Sequence, residues 1–161
     1  MKTAVVYYSK SGTTLKVVEA IKSRFDSDLF FVEPAEAYEG GYLSTVAKVG
    51  QEKLTGKLMA LKSEPADFSD YKIIFIGFPV WYGTMPSFMQ EYVKKSKLDG
   101  KIIIPFVTAG GSGKTSSLET VKNLLPNSKV SVSHYYFSSR IQEADMNAWL
   151  DGLEKIIKAY D

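Results

Sequence analysis

Between an apolar run and an amphipathic stretch lie Ser9-Lys10-Ser11-Gly12-Thr13-Thr14, four hydroxyls, one glycine and one lysine in six positions. Such a set is suited to an anion. A helix that starts here exposes unpaired N–H groups and the positive end of its dipole, and glycine lets the backbone approach closely. Hydroxyls add donors, so a phosphate is held without arginine, each hydrogen bond to the charge contributing about 1.5–3 kcal/mol. Hydroxyl residues also cap helices, but one suffices for that. Lys10 either adds charge near the phosphate or faces water.

A second cluster is Phe78-Pro79-Val80-Trp81-Tyr82-Gly83-Thr84-Met85-Pro86. Two adjacent aromatics in a loop cannot both be core. They offer a surface to a flat ring system, where stacking adds ~0.5–1.5 kcal/mol beyond area burial. Gly83 could leave a peptide free to turn toward the edge of a heterocycle. The plainer role for Trp81 is to cover the core from a surface loop. A third cluster, Thr108-Ala109-Gly110-Gly111-Ser112-Gly113-Lys114-Thr115, approaches the phosphate-binding pattern G-x-x-x-x-G-K-[ST] of nucleotide hydrolases. Thr108 stands where the first glycine belongs, and no strand ends in an aspartate for magnesium. An NTPase or switch using Gly110–Thr115 is therefore a minor alternative, and a flexible turn is the plainer one.

Composition narrows the rest. The chain has 161 residues, 45% hydrophobic and 24% charged, which is one domain, 1–161. Lys plus Arg is 20 and Asp plus Glu 18, a balance that gives no electrostatic case for nucleic acid or an anionic membrane. With no cysteine there are no disulfides, iron–sulfur clusters or thiolate nucleophiles. The one histidine, His134, would have to serve any Ser-His-Asp chemistry, and its strand pattern suits a structural role better. No apolar stretch is long enough for a membrane helix or a signal-peptide core, so the expected address is the cytoplasm. Asp67, Asp70 and Asp99 lie near strand starts, so no acidic cluster for phosphoryl transfer is expected.

The elements that position these clusters read as an alternation. Thr3–Tyr8, Leu29–Glu33, Lys72–Gly77, Lys101–Thr108 and Lys129–Tyr136 are short apolar strands. Thr13–Phe25, Ser87–Lys95, Ser116–Leu125 and Ala144–Tyr160 are amphipathic helices. Strands this apolar are covered on both faces, and alternation with helices implies parallel pairing. The fold class is α/β, a five-stranded doubly wound sandwich, with ligands bound beyond the carboxyl ends of its strands. Within Pro34–Glu64, Leu43, Val46, Val49 and Leu54 suggest a helix, against which Gly50 and Gly56 count. Pro105 cannot donate to a ladder, so a bulge or strand end is expected there.

At these residues the chain resembles the flavodoxin family. Ser9, Ser11, Gly12 and Thr14 fill the pattern T/S-x-T/S-G-x-T after the first strand. Pro79-Val80-Trp81-Tyr82-Gly83 is similar to a flavin-contacting loop, and Thr108-Ala109-Gly110-Gly111 to a third flavin loop. The resemblance covers nearly the whole chain. It implies a flavodoxin-like three-layer sandwich with strand order 2-1-3-4-5 and FMN as the cofactor. The phosphate then falls to Ser9, Lys10, Ser11, Gly12, Thr13 and Thr14. Pro79, Val80, Trp81, Tyr82 and Gly83 form one wall and the N5 edge. Thr108, Ala109, Gly110, Gly111, Ser112 and Gly113 take the pyrimidine end, with no metal. Two departures matter. The third loop lacks the tyrosine that covers the second flavin face, and the chain is not strongly acidic. Tyr38–Tyr42, or Tyr135, Tyr136 and Phe137, are the candidates to cover that face. The leading expectation is an FMN-binding protein that carries out electron transfer or oxidoreduction through the flavin. The departures shift weight from a dedicated carrier toward an FMN-dependent oxidoreductase, with an NAD(P)H:quinone-type reductase as the alternative. Expected partners are a redox protein, or NAD(P)H and a small acceptor, with the chain a monomer or weak dimer. A cofactor-free interaction module of the same fold is the remaining alternative.

Overall fold

The computed structural model describes residues 1–56, 59–110, 114–131, 135–138 and 140–160. In chain order the elements are β1 (Thr3–Tyr7), α1 (Thr13–Phe25), β2 (Asp28–Phe31), α2 (Tyr42–Thr55), β3 (Ile73–Pro79), α3 (Ser87–Lys95), β4 (Ile102–Thr108), α4 (Lys114–Leu124), β5 (Lys129–Val130), β6 (Tyr135–Phe137) and α5 (Glu143–Lys158). The sheet order is β2-β1-β3-β4-β5, with β6 also on β4, and every pairing is parallel. This is the doubly wound 2-1-3-4-5 arrangement, its fifth position shared by two short strands.

Alternation along the strands divides the core into two layers. Ile74, Ile76 and Phe78 of β3 and Ile103 and Val107 of β4 face Val49 of α2, Phe88, Met89 and Tyr92 of α3, and Leu118 and Val121 of α4. Ile73 and Phe75, with Ile102, Ile104 and Phe106, face Val17, Val18 and Ile21 of α1 and Trp149, Leu150 and Leu153 of α5. Helices on both faces explain why the central strands carry no polar side to solvent.

Three expectations are adjusted. α4 starts at Lys114 rather than Ser116, directly after the glycine-rich stretch. The helix within Pro34–Glu64 exists and tolerates Gly50, while Gly56 ends it at φ 68°. Yet Leu43 and Leu54 are 80% and 91% exposed, and Thr45, Val49 and Glu52 face inward instead. Pro105 is not at a bulge or strand end. It sits in unbroken register with Ile76, and β4 pairs with β3 from Ile102 to Thr108. The reason lies in which way its missing donor points. The carbonyl of Ile103 accepts from Ser131, so the odd residues of β4 aim toward the fifth position, whereas the N–H of Ile102 donates to Lys72 on the β3 side. On the fifth side, Ile103 pairs with Val130 but Phe106 pairs with Tyr135. Among the described residues Pro105 itself has no partner in the fifth-position pairings. His134 and most of the expected middle of the fifth strand lie outside the described residues.

Candidate functional site

The first loop leaves β1 and enters α1 through Gly12, whose φ of 86° is left-handed and whose surroundings hold nothing within 4 Å of an added Cβ. Ser9 Oγ accepts from the N–H of Leu15 at 3.2 Å, so this hydroxyl serves as a cap. Ser11 and Thr13 keep their hydroxyls 3.3 Å apart on the exposed side. No residue among those described accepts from the N–H groups of Ser11, Gly12, Thr13 or Thr14. A glycine-opened turn with four unpaired donors at the positive end of a helix fits an anionic group. Thr14 is placed otherwise than the loop pattern suggests. It is buried, and its hydroxyl is 2.8 Å from that of Thr108 at the end of β4. Lys10 Nζ is turned from the turn's donors to the carbonyl of Gly40 at 2.8 Å and the hydroxyl of Thr45.

The second loop continues β3. Val80 N–H donates to the carbonyl of Thr108 at 2.9 Å, which ties it to the end of β4. Trp81 and Thr84 exchange both main-chain hydrogen bonds, 3.0 and 3.1 Å, around a two-residue turn. Tyr82 at φ 51° and Gly83 at φ 71° give the turn two successive left-handed residues. Trp81 is half-buried, edge-on to Tyr8 at 5.6 Å and to Tyr38 at 4.6 Å between ring centroids. Tyr82 leans instead on α2. An added Cβ on Gly50 would lie 2.8 Å from its hydroxyl, and Lys53 Nζ sits 5.4 Å above its ring. Gly83 does not leave a freely turning peptide, as its type alone suggested. Its carbonyl accepts from Ser116 Oγ at 2.5 Å and from Ser117 Oγ at 3.4 Å.

Of the third loop, Thr108 is buried and Ala109 N–H donates to the carbonyl of Phe137 at 3.0 Å. Gly110 has open space around it. Gly111, Ser112 and Gly113, in the middle of the nucleotide-hydrolase pattern, lie outside the described residues. The Thr14–Thr108, Val80–Thr108 and Tyr8–Trp81 contacts gather the three loops at one carboxyl edge of the sheet.

Several residues at this edge escaped the sequence reading. Glu52 of α2 is buried and accepts from Tyr38 Oη at 2.9 Å and Ser87 Oγ at 3.3 Å. Burial, then the Glu52 carboxylate, hold the Tyr38 hydroxyl far above the usual tyrosine range. The spacing of Thr45, Val49 and Glu52 is the signal that would have placed this acid on the inward face. A cavity of about 70 Å³ lies between Tyr38, Glu52, Trp81 and Ser87. A larger one of about 390 Å³ lies between α2 and Met59–Ala60, and no described residue of the three loops lines it. Among the described residues no group of His, Asp and Glu is placed to hold a metal ion, and no helix is long and apolar enough to cross a membrane.

Comparisons with known proteins accord with this geometry. Similar solved structures include a Bacteroides uniformis protein provisionally described as a flavoprotein, 23% identical with TM-score 0.80, covering 93% of this chain and 97% of the other. A Lactobacillus acidophilus flavoprotein, solved in complex with FMN, is 22% identical with TM-score 0.71 and covers 92% and 97%. An archaeal flavodoxin is 19% identical with TM-score 0.61 and covers 94% and 92%. No curated protein sequence matches significantly. The flavodoxin profile matches residues 2–153. A chain with this strand order, matched by the family's profile over residues 2–153, belongs to the flavodoxin family.

Proposed function

We propose that this chain binds FMN across its three edge loops and uses it as a redox protein, as an FMN-dependent oxidoreductase in preference to a dedicated carrier. The observation that carries the proposal is the turn at Gly12, with four unpaired N–H groups on the same edge as half-exposed Trp81. Ser11, Gly12, Thr13 and the N–H of Thr14 would hold the phosphate, and Trp81 would form one wall of the ring site. Thr14 and Thr108 act through their mutual hydrogen bond, which fixes the first loop against the third. Bound FMN supplies hydride and electron exchange, while the protein orients it and tunes its potential. The chain's formal net charge is only +2, which favours a small substrate over a strongly charged protein partner.

The test is a titration of the chain with FMN and with riboflavin, followed by absorbance. Ser11→Ala with Thr13→Ala removes two exposed donors and should weaken FMN by about 1.5–3 kcal/mol per bond, with riboflavin much less affected. Equal losses for the two ligands would contradict the phosphate role. Rapid reduction of the FMN-loaded protein by NADH or NADPH, with a quinone as acceptor, supports the enzyme. Reduction only through a separate reductase supports the carrier.

A further inference from the structure

The main chain of Trp81 is fixed by its two hydrogen bonds with Thr84. Its indole depends on neighbours, and two tyrosine rings meet it edge-on. Tyr8 follows β1 directly, with its N–H on the carbonyl of Gly77 at 3.1 Å and its ring 4.8 Å from that of Phe88. The sheet therefore anchors it. Tyr38 has no such support. It lies between β2 and α2, and among the described residues its main chain makes no hydrogen bond.

The Tyr38 ring is nevertheless buried, with Phe88 at 5.9 Å and Lys48 Nζ at 5.2 Å from its centre. Its hydroxyl sets its orientation by donating to Glu52 Oε1, while Oε2 of the same carboxylate accepts from Ser87 on α3. One acid of α2 thus ties a loop tyrosine to a second helix. A buried carboxylate is costly to desolvate, and an apolar pair of similar volume commonly serves stability as well. What the polar pair adds is direction, because a hydrogen bond specifies an angle and apolar contact does not. The hydroxyl keeps its proton far above the usual tyrosine range, so the donor persists across neutral pH.

The adjoining space gives that direction its importance. The cavity of about 70 Å³ is bordered by Tyr38 and Trp81 together with Met85 and Pro86. On that side the indole has few atoms to hold it and room to tilt. A ring wall that has to be ordered on binding costs affinity.

Resting on the FMN reading, we propose that Tyr38 and Glu52 are positioning residues that hold the Trp81 indole in its ligand-ready orientation before the flavin arrives. Their hydrogen bond acts on the ring end of the ligand and is indifferent to the phosphate.

The experiment replaces both tryptophans of the chain, Trp81 and Trp149, by 5-fluorotryptophan and reads the fluorine NMR signals without FMN. Trp81→Phe assigns them. Trp149 packs on Phe137 at the other face of the sheet and is the internal control. Tyr38→Phe keeps the ring and removes the donor, so it should shift and broaden the Trp81 signal and leave that of Trp149 in place. Glu52→Gln keeps an acceptor oxygen and should retain the wild-type Trp81 signal. In absorbance titrations Tyr38→Phe should weaken FMN and riboflavin by the same factor, about fivefold, the equilibrium weight of one ordinary hydrogen bond. A Trp81 signal unmoved in Tyr38→Phe, or a Trp149 signal moved as far, overturns the positioning role and leaves the FMN reading standing. No spectral change on adding FMN to wild type overturns both.

Discussion

Gly77 shows how a single missing side chain shapes the sheet beneath the site. An added Cβ would lie 2.0 Å from the ring of Phe106, the residue paired with it on β4. Gly77→Ala should therefore destabilise the fold by about 3 kcal/mol through overpacking, a fall of roughly 6–12 °C in melting temperature. Calorimetry decides, and a change of a degree or two would mean the ring relaxes at little cost. Tyr82 carries the opposite burden. Its left-handed φ costs on the order of 1 kcal/mol, held by the Lys53 bond to its carbonyl and the packing of its ring on Gly50. Neither effect was visible in the residue types. Ser9, Ser11, Gly12 and Trp81 announced themselves because their chemistry is local to a strand end. Ser116 and Glu52 did not, since what they touch lies more than thirty positions away for Gly83 and on a different helix for Ser87.

Among the elements, the apolar β-branched runs made the strands legible, and the gaps between them made the helices so. Pro105 misled because ladder donors alternate between two neighbours, and the alternation cannot be phased from composition. The edge strand β2 gives a pH signature. Tyr71 donates to Asp28 at 2.7 Å. That hydrogen bond first, then burial, pushes its hydroxyl up to about 12 from 10.0. The proton is held more tightly in the folded state, so this contribution to stability is complete below pH 10 and fades as pH climbs through about 12. Urea unfolding across that window should show Tyr71→Phe losing less stability than wild type. Parallel curves for the two would remove Tyr71 from the account. Tyr8, Tyr38 and Tyr92, raised mainly by burial, add to the same alkaline decline and remain in the variant.

At the scale of the whole molecule, the loops at one edge hold four unpaired donors and a half-buried tryptophan, which is an arrangement suited to being finished by a ligand. A molecule that binds only the folded chain stabilises it by mass action. Free FMN at one hundred times its dissociation constant should add about 2.7 kcal/mol, and melting temperature should keep rising with FMN concentration. A melting temperature indifferent to FMN would count against the three-loop site. The fifth position of the sheet has a different fate. Among the described residues β5 contributes two paired residues and β6 three, against seven in the β3–β4 ladder. Deuterium should enter the amides of that margin long before those of β1 and β3. The margin meets the third loop through the Ala109–Phe137 bond, so its breathing would set the tempo at which one wall of the cleft loosens. Exit of a bound molecule would then be governed by the rim of the sheet and not by its centre.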